Sequence, residues 1–483
     1  MVEETPQRKR SSVLRRVGWA VLLIVLVCVL AAGGTLLLSF SRVFQALAST
    51  GAMSMCAGVF ITGRSQEEVA QQTFSYEPPR EKFYSRIEFV IDRENRRVTA
   101  RAPLIADIHA VLMDDRGCVL LPPGVRDMPP PSKDAAAKAE RYQEMTVVTR
   151  EEVPTGVDGE RMDRAIATLF ERPEHRTHSF LVYHRGRLIR EVYAQGGGPA
   201  VPSESWSFGK TLVGALVGSL IESGDLSLDE RVTLDLWPEG DPRRDIRVRD
   251  MLGMAGGLAM SNVTRFYPIF LLSEHARVYD NVGDVTKYCA DRPLAHTPGE
   301  AGDYNNADPI LLLAYIRQKL SLDAKGLRDL LRARVLKPLG MDTIIMSTDY
   351  QGMPVITGYV YGSARDWAKL GLLYAQNGSF NGVRIFSEDY ARFSGEPAKG
   401  YPGGAYGAML WLNRARYYSA PDHVMIISGS GDQIVMVDRV NELVLVRMGH
   451  TGKTRDTFLT MNPALREIYA AFGVDVTAGK GAN

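Results

Sequence analysis

Hydrophobic and polar positions divide this chain into regions of different period. From Val17 to Ser41 there are 25 residues without a charge, centred on Val21-Leu22-Leu23-Ile24-Val25-Leu26-Val27-Cys28-Val29-Leu30. A run of that length spans about 30 Å of hydrocarbon and predicts a membrane helix. Arg86-Ile87-Glu88-Phe89-Val90-Ile91-Asp92 and Arg97-Val98-Thr99-Ala100-Arg101 alternate apolar and polar residues, the period of a half-exposed hairpin. Breakers follow at Leu121-Pro122-Pro123-Gly124 and Pro129-Pro130-Pro131-Ser132, then Lys133-Asp134-Ala135-Ala136-Ala137-Lys138, and read as a linker or arm. Further on, Phe180-Leu181-Val182-Tyr183 and Leu188-Ile189-Arg190-Glu191-Val192-Tyr193 flank the turn His184-Arg185-Gly186-Arg187, a second hairpin. Residues 211–222 are apolar on nearly every side, which predicts a helix sunk in a core. Helical patterns dominate from about 245 to 380. Strands return at Val424-Met425-Ile426-Ile427, Gln433-Ile434-Val435-Met436-Val437 and Leu443-Val444-Leu445-Val446-Arg447-Met448, ahead of a closing helix near 461–472. Two strands, a helical block, three strands and a final helix describe an α/β (α+β) fold with one sheet drawn from both ends of the region. The expected organisation is a basic tail over 1–16, a transmembrane helix over 17–41, a small module with strands over 42–120, a linker over 121–150 and the main domain over 151–478.

Composition narrows the function. With 45% hydrophobic and 23% charged residues and a net charge of +1, the chain is ordinarily globular and lacks the positive excess that holds nucleic acid. Arg8, Lys9, Arg10, Arg15 and Arg16 precede the apolar run and only Arg42 follows closely, so the N-terminus is expected in the cytoplasm and the remainder outside, facing a bacterial periplasm. Ala46-Leu47-Ala48 offers the competing reading, a cleaved signal peptide and a secreted protein, but signal h-regions are shorter than this run. Of four cysteines, Cys28 lies in the membrane segment and Cys289 in the main domain; Cys56 and Cys118 both precede that domain, where a disulfide between them suits an oxidising compartment.

The candidate chemistry begins at Ser207-Phe208-Gly209-Lys210, the only Ser-x-x-Lys in 483 residues. Positions three apart share a helix face, so the Ser207 hydroxyl and the Lys210 amine can meet as a nucleophile and its base. The amine accepts a proton near neutrality only if burial lowers its pKa from about 10.4, and the apolar run that follows supplies the burial. By contrast, His175, His178 and His184 lie close together without metal-ligand spacing and read as solvated loop histidines. Gly196-Gly197-Gly198 has no following Gly-Lys-Ser/Thr and reads as a flexible approach to the helix rather than a phosphate cradle.

The order Ser207-x-x-Lys210, then Tyr304-Asn305-Asn306 after Thr297-Pro298-Gly299, then a late strand pair, resembles the serine β-lactamase and penicillin-binding superfamily. Within it, the sequence is most similar to the class C-like branch of esterases, D-aminopeptidases and aminohexanoate-oligomer (nylon-oligomer) hydrolases. Met251-Leu252-Gly253-Met254-Ala255-Gly256-Gly257-Leu258, Val360-Tyr361-Gly362-Ser363-Ala364-Arg365-Asp366-Trp367 and Leu445-Val446-Arg447-Met448-Gly449-His450-Thr451 agree with that branch, over about 150–475. The resemblance implies an antiparallel sheet flanked by helices plus an all-helical subdomain. It also implies that Tyr304 shares or relays the proton and that Asn306 holds Lys210 or the substrate amide. A competing Tyr279-Asp280-Asn281 lacks the upstream Pro-Gly and the downstream apolar helix, so Tyr279 is expected in a surface or lid segment over 259–288 that shapes the substrate pocket.

The third element departs from the family. His450-Thr451-Gly452 has the right letters but follows the last strand; by order the equivalent is Ser428-Gly429-Ser430-Gly431-Asp432-Gln433, which resembles Gly-His-x-Gly-Gln. Ser430 then replaces the cation, Gly431 follows it, and the backbone N–H near Gln433 joins that of Ser207 as an oxyanion hole. Asp432 is expected to oppose the developing charge. The function that follows is a membrane-anchored serine hydrolase acting on a small-molecule or peptide-like amide or ester through an acyl-enzyme on Ser207, with no cofactor, metal or nucleic-acid partner required. A catalytically impaired envelope binding or scaffold protein is the alternative, and a transpeptidase shares every motif with the hydrolase.

Overall fold

The computed structural model describes residues 6–73, 82–122, 124–125, 140–148, 152–172, 175–260, 266–267, 270–271, 273–280, 283–451 and 457–476. The breakers from Pro129 to Lys138, Asn281 and Gly452 lie outside them.

Helix α1 runs unbroken from Pro6 to Cys56, well past the apolar stretch. Its apolar side chains from Trp19 to Leu38 are exposed, Trp19 by 65%, whereas Val43, Phe44, Leu47, Ala48, Ala52 and Met55 are buried. The change marks where the helix meets a sheet. After a turn, helix α2 (Gln66–Thr73) leads to strands β1 (Glu88–Asp92), β2 (Arg97–Arg101), β3 (Ile108–Met113) and β4 (Gly117–Leu120). They form an antiparallel meander in the order β1-β2-β3-β4, and α1 packs on β2 and β3. Small residues permit close approach: a Cβ at Gly51 would lie 2.6 Å from the Phe89 ring. A Cys56–Cys118 disulfide joins the end of α1 to β4.

The main sheet takes in a strand ahead of residue 151. Strand β5 (Thr146–Val148), in the stretch expected as linker, pairs with a strand of the main sheet. Helix α3 (Gly159–Glu171) precedes β6 (Thr177–His184) and β7 (Arg187–Tyr193), then the short β8 (Ser203–Glu204) and helix α4 (Phe208–Glu222). A helical block holds α5 (Val248–Leu252), α6 (Val285–Ala290), α7 (Ala307–Lys319) and α8 (Ala324–Leu331). Next come β9 (Ile345–Met346), β10 (Val360–Gly362) and α9 (Ala364–Ala375). The chain closes with β11 (Trp411–Leu412), β12 (Met425–Gly429), β13 (Gln433–Asp438), β14 (Leu443–Gly449) and α10 (Thr457–Ala471). The seven-stranded antiparallel sheet has the order β11-β12-β13-β14-β6-β7-β5, so strands from both ends meet at β14 and β6. Helices α3 and α10 pack together over one face, and α9 covers the other across β13 and β14. Helix α4 is buried from Phe208 to Leu220, as its all-round apolar sequence predicts. A small sheet in the order β9-β10-β8 leads the chain into it.

The N-terminal module is bonded to this domain. Arg116 donates to Thr348 Oγ1 at 3.0 Å and to the Asp349 and Tyr350 carbonyls at 2.7 and 2.9 Å. Cys118 N donates to Ser347 Oγ at 3.0 Å, and Arg328 pairs with Asp115 at 2.8 Å.

Candidate active site

Strand β8 delivers the chain to the site. Glu204 pairs with Tyr361 of β10 and Ser205 N donates to Val360 O at 2.9 Å, so the backbone is fixed immediately before Ser207. Trp206 then turns sharply with φ of +50°, a left-handed conformation rare for a bulky residue, and Ser207 caps the N-terminus of α4. The strained turn puts the hydroxyl where the helix amides and their partial positive charge gather.

One turn along, Lys210 Nζ donates to Ser207 Oγ at 3.1 Å and to Asn306 Oδ1 at 2.7 Å. Lys210 is 1% exposed, and burial pushes its pKa well below that of an ordinary lysine. Asn306 sits at the start of α7, fully buried, and donates through Nδ2 to His275 O at 2.9 Å and to Tyr279 Oη at 3.1 Å. The Tyr304 ring centroid lies 4.5 Å from Lys210 Nζ. Burial raises the Tyr304 phenol far above its usual range, and a hydrogen bond with Ser207 works against that rise. Tyr304 in turn packs among His275, Tyr406 and Trp411, with ring centroids 5.0 to 5.8 Å away. Ser207, Lys210, Tyr304 and Asn306 thus converge, although 94 residues separate Lys210 from Tyr304 in the chain, 304 − 210.

Tyr279 is not the peripheral residue expected from its segment. Its hydroxyl donates to Thr357 O at 2.9 Å and accepts from Asn306, and burial pushes it up to about 12. Both Tyr-x-Asn tyrosines therefore reach the same cluster, Tyr304 against Lys210 and Tyr279 behind Asn306. Thr357 is a residue the sequence reading missed: its carbonyl also accepts from Ser207 Oγ at 3.4 Å. Nothing in the sequence marks it, because a backbone carbonyl can come from any residue type.

The segment expected as the third element is divided between two strands and the turn that joins them. Gly429, the last residue of β12, faces the nucleophile: a Cβ there would lie 2.4 Å from Ser205 O and 3.3 Å from Ser207 N. Gln433 pairs with Gly429 from the next strand inward, and its amide is committed to Gly449, accepting from Gly449 N at 2.9 Å and donating to Gly449 O. Ser430 is exposed in the three-residue turn between the strands, followed by Gly431 at φ +80° and Asp432 at φ +59°. Arg447 lies beside Asp432: its buried guanidinium donates to the Asp432 backbone carbonyl at 2.8 Å. Burial raises the Asp432 carboxyl to about 6, with Arg447 pulling it down.

The histidines need a second correction. His178 lies on β6 and is bonded to Arg64 at 2.9 Å, and its ring is 5.4 Å from that of His450. His184 ends β6 against Phe472. Neither is a solvated loop residue. His450 is buried just after β14.

Comparison with known proteins agrees with this architecture. The Beta-lactamase family profile matches residues 162–470, and the chain belongs to that family. Membership of that family places it among the serine hydrolases. Similar solved structures include a candidate 6-aminohexanoate-dimer hydrolase from Bacillus anthracis, with TM-score 0.53 and 18% identity over 62% of this chain and 81% of that one. A family VIII carboxylesterase has TM-score 0.53 and 16% identity over 68% of this chain and 100% of its own. A novel penicillin-binding protein homolog from Caulobacter crescentus has TM-score 0.52 and 14% identity over the same shares, 68% and 100%. At these identities the likeness is one of fold. No curated protein matches the chain.

Proposed function

We propose that this protein is a membrane-anchored acyl-enzyme hydrolase of amides or esters, with Ser207 as nucleophile and Lys210 as its base. The observation that carries the reading is the 3.1 Å contact between the Ser207 hydroxyl and a buried lysine whose pKa burial depresses. As Oγ attacks the substrate carbonyl, the neutral amine takes the hydroxyl proton while Asn306 Oδ1 steadies the resulting ammonium. The Tyr304 phenol gives its proton to the leaving group and takes up the one carried by Lys210, which leaves the amine neutral again. The oxyanion is held by the Ser207 N–H at the helix N-terminus and by the backbone of β12 at its Gly429–Ser430 end, which takes the place expected for Gln433. Water then releases the acyl group.

Helix α1 supplies the anchor in this reading, since its exposed apolar segment is long enough to cross a bilayer. The basic residues ahead of it favour a periplasmic catalytic domain. An amide-linked oligomer or peptide is the favoured substrate, by likeness to proteins such as the candidate 6-aminohexanoate-dimer hydrolase.

The test is intact-protein mass spectrometry of the full-length protein in detergent, incubated with a fluorophosphonate, with penicillin and with short p-nitrophenyl esters, beside Ser207→Ala. Adducts and ester turnover that vanish in Ser207→Ala are expected. A folded wild-type protein that none of them labels would overturn the reading and favour a binding protein.

A further inference from the structure

A second cluster of charged and titratable side chains lies outside the acylation site, at the seam between the membrane-side module and the catalytic domain. Arg64, in the loop between α1 and α2, reaches into the domain and bonds His178 Nδ1 on β6 at 2.9 Å. Glu204 on β8, 7% exposed, faces the same small cavity of about 10 Å³, lined by Gly58 and Thr62 of the module and by Tyr361 of β10. That is room for one water. His450 Nε2 lies 3.6 Å from Glu204 Oε2. Burial, with Arg64 and Arg447 nearby, pushes both His178 and His450 well below the ordinary histidine range, so neither supplies charge. Burial raises the Glu204 carboxyl to about 7, with the Arg64 guanidinium across the cavity pulling it down. The loop carrying Arg64 is itself held, because Arg141 donates to both Thr62 O and Gly196 O.

The position of Glu204 gives this pair its importance. It is the last strand residue before the Ser205–Trp206 turn, and that turn carries the positive φ, the Ser205 carbonyl that accepts from Phe208 N, and the close approach of Gly429. A buried carboxylate that loses its cation must take up a proton or move toward water. On β8, movement is passed to Ser207 three residues away.

We propose that Arg64 is a positioning residue for catalysis: by bonding His178 of β6 and facing Glu204 across the small cavity at the module–domain seam, it fixes β8 and the strained turn that presents Ser207. The membrane-side module is then a working part of the catalytic domain rather than a tether. The inference rests on Ser207 being the nucleophile.

The experiment uses the full-length protein in detergent, comparing Arg64→Met, Arg64→Lys, Glu204→Gln and the double variant Arg64→Met/Glu204→Gln. Ester kcat and KM, the rate of fluorophosphonate labelling and its stoichiometry are read for each. Small displacements of a nucleophile cost up to about 100-fold in rate. Arg64→Met is therefore expected to lower kcat and the labelling rate by about 10- to 100-fold, with full final labelling and KM within about 3-fold. Arg64→Lys retains most of the rate, and the double variant exceeds Arg64→Met because no unpaired buried carboxylate remains. Wild-type kcat per labelled site in Arg64→Met overturns the proposal, including the case where fewer molecules label but each turns over normally. So does a double variant no faster than the single one. Should Arg64→Met fail to fold, Glu204→Gln carries the test alone: a kcat loss at unchanged KM is expected, and wild-type kcat sinks the idea. Turnover and labelling that survive Ser207→Ala would instead remove the nucleophile assignment, a separate failure.

Discussion

Lys210 is useful as a base only because of where it is buried. A solvated lysine is protonated at neutral pH and could accept nothing; here burial pushes the amine's pKa well below the ordinary value and so favours the neutral form, and Asn306 Oδ1 is placed to accept from the ammonium that forms on proton transfer. The sign of the pH dependence follows. The active form is the unprotonated one and its pKa is depressed, so activity is lost as pH falls through that lowered value. The plateau then extends far below the roughly 10.4 of a free lysine. Ester kcat/KM measured from pH 5 to 10 is expected to show its acid limb well below 10, and Tyr304, raised by burial, adds no alkaline limb in that range. A limb near 10.4 would remove Lys210 as the base. Asp432 makes a second prediction at this scale. Its folded pKa is raised to about 6, so between about 3.9 and 6 the unfolded chain ionises while the folded state keeps the proton, and stability falls across that window. Asn tolerates the left-handed backbone that Asp432 adopts. The Tm of Asp432→Asn relative to wild type is therefore expected to move in the variant's favour as pH rises from about 4 to about 6, and to level off above that. Labelling rates should stay within about 3-fold, since Arg447 and Thr451 are the groups that act on the carboxyl.

Among elements, the contact of β12 with the head of α4 decides the geometry. Gly429 is required there because the Ser205 carbonyl occupies the space of a side chain. Gly429→Ala places a Cβ 2.4 Å from that backbone oxygen, and backbone cannot rotate away as a flexible side chain would. We expect a destabilisation of about 1–3 kcal/mol, read by thermal unfolding, together with a loss of about 100-fold or more in labelling rate. A variant that labels at the wild-type rate would separate β12 from the oxyanion site. The same contact explains why the third element misled the sequence reading. Matching letters to Gly-His-x-Gly-Gln puts the expected oxyanion donor near Gln433, whereas the residue that closes on Ser207 N is Gly429, one strand nearer the edge. A Gly and a Gln three or four positions apart look equivalent in sequence, and only the pairing Gly429↔Gln433 shows which of them lines the edge.

At the scale of the molecule, the module and the domain share a fixed seam. The Cys56–Cys118 bridge closes a separation of 62 residues, for which loop entropy predicts roughly 4 kcal/mol of stabilisation. Replacing both cysteines by serine should lower the Tm accordingly. It should also slow labelling, because the bridge holds the end of α1 from which the Arg64 loop departs. An unchanged Tm would show that the bridge does not form. If α1 anchors the chain, carbonate-washed membranes retain the full-length protein, and protease added to spheroplasts digests the catalytic domain; release by carbonate would argue against the anchor.

The hydrophobic pattern by itself determined the apolar N-terminal helix, both hairpins, the buried α4 and the closing helix, because those depend on period and length alone. It also located the Ser207–Lys210 pair, since three residues on one helix turn fix a distance. Tertiary structure decided what lies across gaps in the chain. It placed Tyr279 beside Asn306 instead of in a peripheral lid, brought β5 out of the apparent linker into the sheet, set Arg447 against Asp432, and took His178 from a supposed loop into a buried cluster with Arg64. Each of these is a contact between segments whose sequences carry no record of one another, formed only when separate surfaces pack and buried polar groups must find partners.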